Sequence, residues 1–164
     1  MAGKGIDVIT TFCCMPKINV RYTVASKEQR DQRRNYYHDV VRKQFASHLA
    51  THHAEKLRIL GIPEEQITIM RDRGEGPEGY NIHHKIPLHA GGTNDFSNLI
   101  LMRADLHCHL HRFVDAKILG LKVGKSRDVV LPFLEGEVCF MQPWKQPGWN
   151  PNAPLPVPPS SCWG

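Results

Sequence analysis

The chain has 164 residues, 41% of them hydrophobic and 23% charged, which is enough to bury a core of its own. No apolar run approaches the length of a membrane span, and the first twenty residues lack the hydrophobic region of a signal peptide. A formal charge of +5, from 21 Lys+Arg against 16 Asp+Glu, mildly favours a polyanionic partner.

The alternation of Ile18, Val20, Tyr22 and Val24 with Lys17, Asn19, Arg21 and Thr23 predicts a half-buried strand within residues 6–24. Ser26 with Gln29 three residues later reads as a capping box, and Gly61 sits where a helix would end. Between them Tyr37, Val41, Phe45, Leu49 and Leu57 recur at helical spacing, so one face packs inward. The stretch is long enough for two helices, jointed around Ser47–His53. His48, His52 and His53 on it read as packed or solvated helix positions. Pro63 opens a short helix at "IPEEQ", "ITIM" reads as a strand, and "RDRGEGPEG" reads as a loop. Towards the other end "DVVLPF" and "EVCFM" resemble a small hairpin around "LEGE". Residues 142–164 hold seven of the twelve prolines and all three tryptophans, and read as an extended tail whose Trp144 and Trp149 wrap the domain.

Five cysteines, Cys13, Cys14, Cys108, Cys139 and Cys162, are odd in number and include no C-x-x-C. They read as neither a disulfide framework nor a thiolate zinc site, and favour a reducing compartment; Cys108 and Cys139 read as small core residues.

Six of the ten histidines fall in "GYNIHHKIPLHAGGTNDFSNLILMRADLHCHLHRFVD", residues 79–115. The pattern predicts a strand bearing His83 and His84, a turn at Gly91-Gly92, a second strand opening at Asn98 and a helix from Ala104 or Asp105. His107 and His111, four apart, share a helix face at chelating distance. A passing strand can add a third ligand. Neighbouring strand side chains diverge, so one of His83 and His84 joins the metal and the other is free to act as a base. Asn98 has a carboxamide oxygen that can accept the base's Nδ1–H and fix its tautomer. His109 lies on another helix face, and His89 reads as an exposed loop residue.

This block resembles the HNH, or ββα-metal, endonuclease superfamily, and within it the DNase colicins and related bacterial toxin nucleases. The resemblance covers roughly residues 71–119. It implies that His83, His107 and His111 bind one divalent metal (zinc, nickel or magnesium), that His84 is the general base, and that Asn98 orients it and pins the loop. It further implies a fit into the minor groove of DNA. Asn81 departs from the pattern, which carries a carboxylate there. Arg71, Arg73, Lys85 and His89 are candidate substrate contacts.

The expected fold is α+β: an N-terminal strand and helical scaffold over residues 1–70, the ββα-metal motif over 71–119, a hairpin over 120–141 and the tail over 142–164. The expected function is hydrolysis of DNA phosphodiesters with little sequence specificity, as the toxic domain of an antibacterial effector. Such a domain would be delivered to a reducing cytoplasm and neutralised by an acidic immunity protein. The alternatives are a phage or mobile-element nuclease, or a non-catalytic zinc-stabilised nucleic-acid-binding module.

Overall fold

The computed structural model describes residues 16–140; the tail with Trp144 and Trp149, Cys13, Cys14 and Cys162 lie outside them. Among the described residues the architecture is α+β, with two two-stranded antiparallel sheets and a largely helical run over residues 27–73. Among the described residues no helix is long and apolar enough to cross a membrane.

Strand β1, Lys17–Thr23, buries Val20 and Tyr22 and exposes the residues between, as its alternation requires. Its partner is β4, Ser126–Pro132, paired from Lys17↔Pro132 to Thr23↔Ser126. The expected hairpin between "DVVLPF" and "EVCFM" is therefore not made. Val129 and Leu131 of β4 instead join Val20 and Tyr22 in one apolar cluster. Residues 137–139 turn to the other sheet, where Leu101 N–H donates to Glu137 O and Cys139 N–H donates to Leu101 O.

Helix α1, Lys27–Tyr36, starts at Ser26 with the capping box complete: Ser26 Oγ accepts from Gln29 N–H, and Gln29 Oε1 accepts from Ser26 N–H. One π-helical turn, Tyr37–Val41, leads into α2, Arg42–His52. The break predicted in this region falls at His53, and the short α3, Ala54–Ile59, follows it. Tyr37, Val41, Phe45, Leu49 and Leu57 are all buried, so the inward face is the one the periodicity marked.

"ITIM" is helical, not a strand. It belongs to α4, Glu64–Arg73, which ends at Gly74 in the left-handed region with φ +67°. Ile67 and Met70, three apart, are both fully buried against α2, and that helical spacing outweighs the β-propensity of the isoleucines.

Strands β2, Tyr80–His84, and β3, Leu99–Arg103, pair antiparallel, with His83 opposite Ile100 and His84 opposite Leu99. Helix α5, Ala104–Lys117, follows β3 directly. At that corner the buried Arg103 guanidinium makes a two-pronged pair with Asp105, Nε to Oδ1 at 3.0 Å and Nη2 to Oδ2 at 2.8 Å. Asp105 Oδ1 also accepts from Leu106 N–H. The first turn of α5 is thus clamped to the strand that precedes it. Cys139 is buried. Cys108 is buried too, in keeping with its reading as a small core residue.

Candidate metal centre and its cleft

His83 faces α5 from β2, while His107 and His111 face back from successive turns of the helix. Their ring centroids lie 5.1 Å (His83–His107), 5.5 Å (His83–His111) and 4.3 Å (His107–His111) apart. One ligand nitrogen from each falls within 4.8 Å of the others. The Nε2 atoms of His107 and His111 are 3.0 Å apart. Two nitrogens bound about 2.0–2.1 Å from one tetrahedral ion would sit about 3.3 Å apart, so the pair needs only a small adjustment to share a cation.

The protonation states suit ligands. Burial, then the neighbouring imidazoles, holds His83 well below the ordinary histidine range and takes His107 down to about 3. Burial also lowers His111, opposed by the Asp115 carboxylate. All three are neutral at physiological pH and can offer lone pairs without releasing a proton. The set of three imidazoles fits a divalent transition metal.

Asn81 lies beside this centre, its Nδ2 3.2 Å from His107 Nδ1. A His107 that binds metal through Nε2 carries its proton on Nδ1. The carboxamide then serves with its oxygen turned to that proton, an orientation equivalent at the atom positions seen. The residue that stands where the colicin-like pattern has a carboxylate therefore sits against one of the three histidines.

His84 is not part of the triad, though it lines the same cleft. Its Nε2 is 2.9 Å from Asn94 Oδ1, and its ring packs edge to face against Tyr37 at 4.6 Å. Asn94 is itself aimed by a long contact from its Nδ2 to Arg33 O at 3.4 Å. Burial lowers the His84 pKa, and the Asn94 bond raises it part of the way back. The direct Asn98–His84 side-chain bond expected from sequence is not the one made. Asn98 instead holds the intervening loop at both ends: Oδ1 accepts from Ile86 N–H, and Nδ2 donates to Ile86 O and Thr93 O. Of the two contacts expected of Asn98, it makes the one to the loop, and the one to His84 is made by Asn94. Gly92 lets the loop close this tightly, since a Cβ there would lie 1.9 Å from Ile86 O.

A cleft of about 580 Å³ opens over these side chains. His83, His84, His107 and His111 line it together with Asn81, Tyr37 and His89, and Arg30, Arg34, Arg42 and Arg112 also contribute to its walls. His89 is half-buried and packs edge-on against Tyr22 at 5.0 Å, rather than standing free in solvent. The other candidate substrate contacts are elsewhere. Arg71 and Arg73 are exposed at the end of α4, outside the cleft lining, where Arg71 O accepts from Ser47 Oγ. Lys85 also lies outside the lining, its ammonium 5.8 Å over the Phe133 ring. The arginines of α1 and α2 were missed by sequence reasoning, although Arg30, Arg34, His38 and Arg42 recur every four residues.

Two antiparallel strands, a helix and three converging imidazoles make a ββα-metal arrangement. The family model of the HNH endonucleases matches residues 71–112, roughly a quarter of the chain and the span that ends just beyond the second helix ligand. That segment is of HNH type, and the match supports a nuclease. The chain is also 35% identical over 95 residues to Uncharacterized protein YhhZ of Escherichia coli (strain K12), a stretch covering 57% of this chain and 23% of that protein. It thus spans less than a quarter of the length of the curated relative it matches. No solved structure matches.

Proposed function

We propose that this chain is a metal-dependent endonuclease that hydrolyses DNA phosphodiester bonds with little sequence specificity. The observation that carries the proposal is a neutral imidazole, His84, held by its own amide partner beside a three-histidine centre in an arginine-walled cleft.

His83, His107 and His111 would hold a divalent ion, which would supply Lewis-acid stabilisation of the negative charge that develops on the phosphate and the leaving oxygen. Three imidazoles suit zinc or nickel better than magnesium, which prefers oxygen ligands. His84 keeps its proton on Nε2, donated to Asn94 Oδ1, and so presents the Nδ1 lone pair as general base. The proton of the attacking water passes to Nδ1, and the imidazolium so formed stays bonded to Asn94. Tyr37, whose hydroxyl donates to Ile82 O, restricts the tilt of the His84 ring. Asn98 acts one step back, by fixing the loop that carries Asn94.

The narrower role implied by the colicin resemblance is a toxic domain silenced by an acidic immunity protein. The arginine rim of the cleft is the surface such a partner would cover. The chemistry is tested with supercoiled plasmid: nicking is expected with zinc, nickel or magnesium, with fragment ends at unrelated sequences, and EDTA should abolish it. Intact plasmid with every divalent ion tried would refute the proposal.

A further inference from the structure

We propose that Arg30, Arg34, His38 and Arg42 form a phosphate-binding rail that leads one strand of duplex DNA to His84. The rail lies in the helical scaffold, outside the segment that matches the HNH family, and the proposal rests on the nuclease reading above.

The spacing is the first argument. Residues four apart on a straight α-helix drift about 40° per step, so a fourth member would stand about 120° from the first. Here the π turn Tyr37–Val41 uses additional residues in its turn and takes back much of that drift. All four side chains consequently line the same cleft as His83, His84 and His111.

Their bonding is the second. Neither the Arg34 nor the Arg42 guanidinium forms a hydrogen bond or ion pair with another described residue, and both are exposed. Arg30 Nε is buried in the wall with no partner among the described residues, an arrangement that an anion in the cleft would satisfy. The neighbouring residue, by contrast, is committed to structure. Arg33 Nη1 donates to Leu88 O at 3.1 Å and ties the helix to the loop of the HNH-type segment.

The dimensions are the third. At about 1.5 Å per residue the rail runs for about 18 Å. Each strand of duplex DNA carries one phosphate per about 3.4 Å of helix axis, so about 18 Å of axis covers about five phosphates, of which side chains about 6 Å apart would meet roughly every second one. Guanidinium groups aimed at phosphates read backbone and not bases, which agrees with cleavage of little sequence preference.

Anisotropy of a short fluorescein-labelled duplex, titrated in EDTA over a range of salt concentrations, tests the rail without cleavage. Each phosphate contact contributes about 0.9 to the slope of log affinity against log salt, so Arg34→Gln with Arg42→Gln should flatten the slope by about 1.8. Arg71→Gln with Arg73→Gln removes the same charge outside the cleft and should leave the slope as it is. A wild-type slope in the cleft pair, or equal flattening in both pairs, would overturn the rail. Tighter binding of duplex RNA than of duplex DNA would overturn its assignment to DNA. Slope loss in a protein that never cuts plasmid refutes the nuclease reading and leaves the rail standing; cutting with an unchanged slope refutes the rail alone.

Discussion

Asn94→Ala removes the hydrogen bond that His84 Nε2 donates to Asn94 Oδ1 at 2.9 Å, together with the long contact from Asn94 Nδ2 to Arg33 O, and touches none of the three proposed metal ligands. An unsatisfied, partly buried polar group costs about 1–3 kcal/mol. If the bond matters most when His84 is protonated, that energy falls on the transition state, where about 1.4 kcal/mol is a factor of ten. The expected loss in kcat is therefore about 10- to 100-fold. The pH profile distinguishes this effect from general damage. The Asn94 bond raises the His84 pKa against the lowering effect of burial, so its removal lowers the pKa further. The base must be neutral to act, so the acid limb of the rate profile moves to lower pH. Initial rates of plasmid nicking across pH, with metal affinity measured in parallel by calorimetry, supply the assay. An unchanged kcat with an unmoved acid limb would refute the orienting role of Asn94.

Asn98→Ala should behave in the opposite way. It deletes three bonds to the loop backbone, a loss of about 2–4 kcal/mol, and thermal melting should fall by on the order of 10 °C. Gly92→Ala drives a Cβ into Ile86 O, and displacement of the loop should cost about 1–3 kcal/mol together with most of the activity, read by melting and nicking. His107→Ala should abolish metal binding in calorimetry and the stabilisation that metal gives in melting. Without metal, acid should destabilise the fold. His107 binds its proton with a pKa near 3 when folded and near 6.5 when unfolded, so stability is fully present above about pH 6.5 and is lost as pH falls towards 3. Between pH 7 and 5 that group alone predicts a loss of about 2 kcal/mol, measurable as a lower urea midpoint in EDTA.

The cluster of His83, His107 and His111 was legible because each of its parts is local. Two histidines four apart define a helix face, and a third on an adjacent strand needs only the ββα connection to meet them. The orienter was not legible in the same way. Asn94 and Asn98 stand four apart in one loop, and only the fold of residues 86–98 around Gly92 shows which amide meets His84. The pairing of β1 with β4 joins residues more than a hundred positions apart, and local alternation carries no information about such a partner. Arg71 and Arg73 drew attention through their nearness in sequence to the histidines, but α4 directs them elsewhere. Arg30, Arg34 and Arg42 line the cleft from two helices joined by a π turn, which cannot be anticipated from a 3.6-residue period. The early helix, its capping box and its buried face followed from the sequence because helical contacts are short-range.

His84→Ala tests the central claim most directly, with plasmid nicking and metal affinity measured on the same preparation. The imidazole lies outside the metal-binding triad, so affinity should stay at the wild-type value while metal-dependent nicking is lost. Nicking retained at the wild-type rate would contradict the assignment of His84 as the base.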